Sequence, residues 1–436
     1  MNWNLLHFIE GSRAVFNGEN LTILPLSQKQ YNLLSQYQMT VNKSDVSAVT
    51  KNTVSSFEKY MDGISIMGNN DTKTGYVNRI MLCVSNDCNL RCKYCYATGG
   101  NYGVERGFMT KETADNFISF CKRNFRTIDK IVFFGGEPLL NFKIIDYICS
   151  RFEKEKFETE PEFGIITNGT IISDKILSVI KRHIKFITVS IDGPANINDK
   201  NRVFENGTGS FSRIINFISK IREFTDINLQ YEATFTKEHI LSGYDYESLS
   251  KSLNDLTGIS GTIVTENNLE GEYLFKYLRK INKENMLSAK FKNLPPDFWT
   301  VFNAIIHRRK EELCGAGKDS FSVTYDGKIY PCHIINNKAK CLMQNITDII
   351  DFSKNAYYKT NFEKNEQCVN CWAKNICGSC PIVRFYDSDK EELCSEPQKK
   401  YCNISLKLLE VILGLIVTIR TDNELWSNIK QISKYE

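Results

Sequence analysis

From residue 79 onward the apolar positions repeat a two-part pattern: a short run dense in Val, Ile, Phe and Leu, then a stretch with apolar residues three and four apart. The first part predicts a buried strand and the second an amphipathic helix. Six such pairs follow one another: strand 79–85 with helix 111–124, 130–134 with 142–156, 162–167 with 174–183, 186–191 with 211–224, 228–235 with 246–256, and 261–265 with a helix near 273–282. Strict alternation of this kind predicts an α/β protein with a parallel, barrel-like (β/α)6 sheet. Its functional loops would lie at the C-terminal ends of the strands.

Ahead of this region, 13–16 and 21–24 read as short strands, and 27–37 and 44–61 as helices. The polar, turn-rich run from Gly68 to Gly75 marks a boundary. After about residue 298 the alternation stops, and a loop-rich segment follows that carries nine of the fifteen cysteines. It is expected to form a separate small domain. The expected organisation is therefore 1–70, 76–297 and 298–436.

Composition narrows the function. With 436 residues, 42% hydrophobic and 12% aromatic, the chain can build ordinary cores. A net charge of +4 from 55 basic and 51 acidic residues, spread without a basic stripe, argues against a nucleic-acid partner. The N-terminal residues show no basic and apolar export signal, and the longest apolar run, 408–419, is interrupted by Glu410 and Gly414 and falls short of the roughly 20 residues of a spanning helix. A cytoplasmic location without a membrane partner is expected. Fifteen cysteines in that reducing compartment point to metal or cluster ligation rather than disulfides.

The chemistry-bearing residues gather at predicted strand ends. Cys88-Asn-Leu-Arg-Cys92-Lys-Tyr-Cys95 follows the first strand, and three thiolates leave one iron of a [4Fe-4S] cubane open. Gly135-Gly136-Glu137-Pro138 ends the second, where glycines let backbone approach a ligand closely and a carboxylate can accept from an ammonium. Thr167-Asn168-Gly169-Thr170 follows the third strand, Ser190-Ile-Asp-Gly-Pro194 closes the fourth, and Arg202 lies just beyond. A GGEP or TNGT tetrapeptide alone is usually a turn, and three cysteines alone would also suit zinc.

In this order, the motifs resemble those of the radical S-adenosylmethionine (SAM) enzymes. The resemblance implies a catalytic [4Fe-4S] cluster on Cys88, Cys92 and Cys95, with SAM held by Tyr94, Gly135, Gly136, Glu137, Asn168, Ser190 and Arg202. Glu137 would receive the methionine ammonium, Arg202 the carboxylate, and Ser190 the ribose or carboxylate, with the run containing Asn168 near the adenosine. The implied reaction is reductive cleavage of SAM to a 5'-deoxyadenosyl radical, fed by a reductant such as flavodoxin or ferredoxin.

The later cysteines resemble the SPASM domain of peptide-modifying radical SAM enzymes: Cys314, Asp326-Gly327, Cys332, then Cys368-x2-Cys371-x5-Cys377-x2-Cys380, with Cys394 and Cys402 beyond. The final two-residue gap departs from the commoner three. The resemblance implies two auxiliary [4Fe-4S] clusters, making three in all: the first on Cys314, Cys332 and Cys380, the second on Cys368, Cys371, Cys377 and Cys402. Cys394 is the alternative to Cys402, and Cys341 would close the first cluster if it ligates. If it does not, an open iron would take a cysteine thiolate of the substrate, as in maturases that install thioether cross-links in ribosomally made precursor peptides. The N-terminal segment resembles the winged-helix RiPP recognition element (RRE), which captures a leader peptide by strand addition; a plain structural cap is the alternative. Formylglycine formation or carbon–carbon cross-linking are the competing activities. A non-catalytic, zinc-stabilised peptide-binding scaffold is the reading from another class. Cys83, Cys121 and Cys149 read as buried apolar residues, and His333 as a cluster neighbour or a satisfied polar side chain.

Overall fold

The computed structural model describes residues 2–40, 47–64, 75–155, 157–259, 261–265, 272–288, 291, 294–310, 314–348, 365–377 and 380–432. At the N-terminus a three-stranded antiparallel sheet, β1 (Leu6–Ile9), β2 (Ala14–Asn17) and β3 (Thr22–Pro25), precedes α1 (Gln28–Met39) and α2 (Ala48–Asp62). Ser27 caps α1 in a reciprocal box with Gln30. The first strand was not visible as a pattern, because both of its ends are buried while its centre is half-exposed. The expected boundary at 68–75 lies, but for Gly75, outside the described residues.

The barrel follows the predicted alternation. Its units are β4 (Tyr76–Ser85) and α3 (Lys111–Asn124), β5 (Thr127–Gly135) and α4 (Phe142–Phe152), and β6 (Glu162–Thr167) and α5 (Asp174–His183). Next come β7 (Ile184–Ser190) with α6 (Ala195–Asn201) and α7 (Phe211–Ile221), β8 (Asn228–Phe235) with α8 (Lys237–Leu241) and α9 (Tyr246–Thr257), and β9 (Thr262–Thr265) with α10 (Glu272–Lys280). All six strands pair in parallel and in sequence order. The helices pack on one face of the sheet: on α7, Ile214, Phe217, Ile218 and Ile221 are buried against Ile187 and Val189 of β7 and Tyr231 and Ala233 of β8. Each such side chain stabilises the fold by about 1.5–3 kcal/mol. Thr188, Ser190, Glu232 and Thr234 alternate with them and turn to the opposite face, the barrel lumen.

The C-terminal segment departs from the expected separate domain. After α11 (Lys283–Ser288) and α12 (Pro296–His307), β10 (Ser320–Val323) pairs in parallel with β4, and β11 (Lys328–Tyr330) and β12 (Gln344–Asn345) continue the sheet antiparallel. One nine-stranded sheet results, in the order β12-β11-β10-β4-β5-β6-β7-β8-β9. Short helices α13 (Glu366–Val369) and α14 (Pro381–Phe385) carry cysteines, and α15 (Lys399–Thr421) and α16 (Asn423–Ile432) close the chain. With 23 residues, α15 is longer than the apolar run suggested and is long and apolar enough to cross a membrane. Its Leu409, Ile412, Leu413, Ile416 and Ile419 instead join a core with α12 and the N-terminal sheet.

Candidate active site

The Cys88–Cys95 loop leaves β4 and is tied to its neighbours by backbone. Arg91 N–H donates to Val203 O (2.7 Å) and Lys93 N–H to Asn201 O (3.1 Å). Asp87 accepts from Cys88 N–H at 2.8 Å and from the Arg106 guanidinium. The glycines are required by packing. A Cβ on Gly135, whose φ is +130°, would stand 2.1 Å from Ser85 O; one on Gly136 would stand 2.2 Å from Asp87 O. Backbone of the second loop therefore lies directly against the cysteine loop. The Cys88 sulfur accepts from Leu90 N–H (3.4 Å) and Asn168 Nδ2 (3.6 Å). Burial and then Glu137 push the Cys88 thiol up to about 12, and burial raises Cys92 against the opposing charge of Arg202. Ligation at these thiols releases protons.

Arg202 is 7% exposed and is held from one side. Its Nη1 donates to Tyr94 Oη at 2.5 Å, Tyr94 Oη donates to Asp192 at 2.8 and 3.0 Å, and Asp192 lies 3.8 Å from the guanidinium. Asp192 is in turn fixed by Thr234 N–H (3.1 Å), while His239 Nε2 donates to its backbone carbonyl (2.8 Å). Arg202 Nε is buried without a partner among the described residues. An unpaired guanidinium N–H beside the triad suits an anionic group such as the SAM carboxylate. Together with the three cysteines gathered on one loop beside it, it makes these residues fit a cluster with SAM.

Two residues expected to hold SAM are also engaged by protein. Glu137 is fully buried, and its carboxylate accepts from Leu139 N–H (3.0 Å), Thr167 Oγ1 (2.8 Å) and Asn168 N–H (2.8 Å). Three of its roughly four acceptor sites are thus filled, and the two bonds from Thr167 and Asn168 clamp the second loop to the third. Burial raises its pKa against these hydrogen bonds. Asn168 is likewise consumed: its amide donates to Asn89 Oδ1 (2.9 Å), and its oxygen accepts from Thr170 N–H and Oγ1. Both residues act first as struts for the cysteine loop. Ser190 ends β7, half-buried, in register with Glu232 on β8.

Sequence reasoning passed over Asp192, Asn89, Thr234, His239 and Glu232. For Glu232, Thr234 and His239 the signal was available in Glu232-Ala-Thr-Phe-Thr-Lys-Glu-His239, a strand end with polar alternate positions that runs into the short helix α8. Thr236 pairs with Asn201 and His239, whereas Glu232 faces the lumen, its pKa raised by burial against the nearby Arg202.

Two further cysteine sets assemble beyond the sheet. In the first, Cys332 is pushed up to about 12 by burial, with the neighbouring Cys380 and Cys314 thiols adding to it; Cys380 likewise feels Cys314. Cys341 is fully buried, but the charges around it belong to Lys338, Glu391 and Glu392. In the second, Cys368 neighbours Cys377, Cys402 and Cys371, and Arg384 Nη1 donates to Cys377 Sγ at 3.3 Å. Cys402 therefore stands within this set. Cys394 is absent from the neighbours of Cys368, Cys371 and Cys402, and its N–H donates to Phe385 O (2.7 Å). Among the described residues, no three His, Cys, Asp or Glu side chains converge tightly enough for a single ion.

Between the triad and the first set the lumen wall is aromatic. Tyr96, next to Cys95, faces the His333 ring at 6.2 Å; His333 packs on Phe134 at 4.8 Å, and its Nδ1 is 3.8 Å from Cys332 Sγ. Burial and the Arg79 charge lower the His333 pKa to about 4, so the ring is neutral.

Residues 82–231 match the radical SAM superfamily, and the barrel is a radical SAM partial barrel. The cysteine-type anaerobic sulfatase-maturating enzyme of Clostridium perfringens is 23% identical over 338 residues, covering 70% of this chain and 89% of that protein. Among solved structures, native anSMEcpe with bound AdoMet superimposes with a TM-score of 0.63 at 18% identity, covering 79% of this chain and 99% of that one. Streptococcus suis SuiB bound to precursor peptide SuiA gives 0.51 at 15% identity, covering 87% and 94%. The superfamily match covers most of the barrel, and the similarity to the sulfatase-maturating enzyme extends over most of the chain.

Proposed function

We propose that this chain is a peptide-modifying radical SAM enzyme that installs thioether links, cysteine sulfur to carbon, in a ribosomally made precursor peptide. The observation that carries the reading is the first C-terminal set, in which Cys314, Cys332 and Cys380 neighbour one another, while Cys341 is a fully buried member of the apolar cluster on which Cys332 and Cys380 pack and the charges near it are Lys338, Glu391 and Glu392. Three protein sulfurs leave room for a fourth, which a substrate cysteine would supply. When bound on Cys88, Cys92 and Cys95, a [4Fe-4S] cluster with SAM supplies a 5'-deoxyadenosyl radical, with electrons from a flavodoxin- or ferredoxin-type donor. Arg202, set by Tyr94 and Asp192, orients the SAM carboxylate. Tyr96, Phe134 and His333 offer the peptide an aromatic wall between the triad and the first set. Auxiliary clusters on the two C-terminal sets belong to this reading.

The N-terminal domain supports a peptide partner. β3 is an edge strand, and beside it lies a groove of about 440 Å3 lined by Leu24, Leu26, Leu34, Phe57 and Tyr60. An RRE-like domain would take a leader peptide there as an added strand. SuiB, of similar fold, is a protein bound to a precursor peptide.

The likeness to a sulfatase-maturating enzyme favours a second reading, oxidation of a peptide cysteine to formylglycine, which needs no vacancy at the first set. Anaerobic co-expression with a cysteine-containing peptide encoded beside the gene separates them. Thioether formation predicts a loss of two hydrogens per link and cysteines that resist alkylation. Loss of sulfur and a hydrazide-reactive carbonyl would replace the first reading with the second, and an unchanged peptide would sink both.

A further inference from the structure

The loop that presents Cys371 and Cys377 does not stand by itself. Trp372, between them, stacks on His7 of β1 with rings 3.9 Å apart and 11° from parallel, and meets Phe16 of β2 edge-on at 6.1 Å. Asn375 Nδ2 donates to Gly18 O at 2.8 Å and Glu19 O at 3.3 Å, closing the loop over the β2–β3 turn. The approach is so close that a Cβ on Gly18 would fall 1.7 Å from Trp372 O. Ala373 and Ile376 of the loop are buried in one core with Phe16 and Ile23 of the sheet and with α15, the helix that bears Cys402. Its Gly414 packs near Ser12 of the same N-terminal segment. Three of the four cysteines of the second set are thus carried by elements seated on the N-terminal sheet.

A cluster-binding loop gains affinity when its ligands are held in place before the metal arrives, because ordering it otherwise subtracts from binding. We infer that the N-terminal sheet is a positioning scaffold for the second cysteine set, through Gly18, His7, Trp372 and Asn375, and that this set loads its cluster only with the sheet docked. The inference rests on the reading that Cys368, Cys371, Cys377 and Cys402 hold a cluster.

The test uses the full chain, reconstituted anaerobically with iron and sulfide, with iron per chain, EPR of the reduced clusters and tryptophan fluorescence as readouts. Gly18→Val leaves every cysteine and the loop sequence intact, yet should lose one cluster's worth of iron, about four atoms, and keep the signal of the triad cluster. Asn375→Ala should lose it in part. Trp372→Phe, which preserves a stacking ring, should load as the parent does. Val54→Ala, a cavity on the opposite side of the same sheet, controls for general loosening of the domain and should keep all its iron. Full loading of Gly18→Val, loss of the triad cluster in step with the second, or equal loss in Val54→Ala would overturn the inference. A parent chain that binds no iron at the second set would remove the cluster reading and the inference with it; that result differs from the others because it is seen without any substitution.

Discussion

The triad site and the second cysteine set hold thiols in opposite ways. The triad is built by neighbours: loops after β4, β5, β6 and β7, adjacent in one parallel sheet, interlock through glycine packing, the Glu137 clamp and the Asn168–Asn89 pair. The second set is built by distant chain, where Asn375 meets Gly18 across 357 positions and Trp372 rests on His7. The contrast teaches that a ligand spacing in sequence says little about what keeps the ligands in place. The triad's supports lie in its own and neighbouring loops of the barrel, whereas the second set's supports lie in another part of the molecule.

The strongest way to break this comparison is at the triad's own packing. Gly136→Val would drive a side chain into Asp87 O, 2.2 Å from where Cβ must sit; loss of the triad's iron and at least a 100-fold fall in 5'-deoxyadenosine release are expected, measured by iron assay and chromatography. Next, Cys402→Ser should cost the second set its iron while Cys394→Ser leaves it, because Cys402 neighbours the set and Cys394 does not; iron analysis and EPR check this. Arg202→Lys keeps the charge but loses the planar fork, and SAM affinity by calorimetry should fall roughly 10- to 150-fold, matching about 1.5–3 kcal/mol for a charged hydrogen bond. Tyr94→Phe removes a hydroxyl from the Arg202–Asp192 link and should weaken SAM binding only about 2- to 10-fold. The smallest effect is expected from Cys341→Ala, with iron content unchanged and stability reduced by about 1 kcal/mol in chemical denaturation, since Cys341 serves as a buried apolar member of the cluster of Tyr330, Ile335 and Ile382 against which Cys332 and Cys380 pack.

Much of the barrel was legible because its code is local. Strands 162–167 and 228–235 and helices 111–124 and 174–183 appear where the periodicity put them, helped by caps such as Thr110 and Ser173. Non-local pairings were not legible. β10 reads as a short polar run, and only its partner β4, with Cys83 and Ser322 239 positions apart, makes it part of the sheet. At the site, the motifs fixed which loops converge, but not which side chains would be spent on holding the loops. Glu137 and Asn168 looked available for ligand and are instead largely satisfied by protein. Asp192 stood inside a quoted motif without being singled out, because its role depends on Tyr94 and Arg202 arriving from two other loops.

Leader-reading modules are attractive parts to exchange between maturases, and the N-terminal sheet limits where such a cut can fall. Its two faces belong to different cores: Val15 and Leu6 lie under α1 and α2, while Phe16 and Ile23 lie with α12 and α15. On the proposed function, a chimera joined at the inter-domain boundary would carry off one wall of the second cysteine set together with the peptide-binding groove. A junction placed after β3, keeping the native sheet and replacing only the helices and the groove they form, would on the same reading change the peptide recognised while leaving that wall in place.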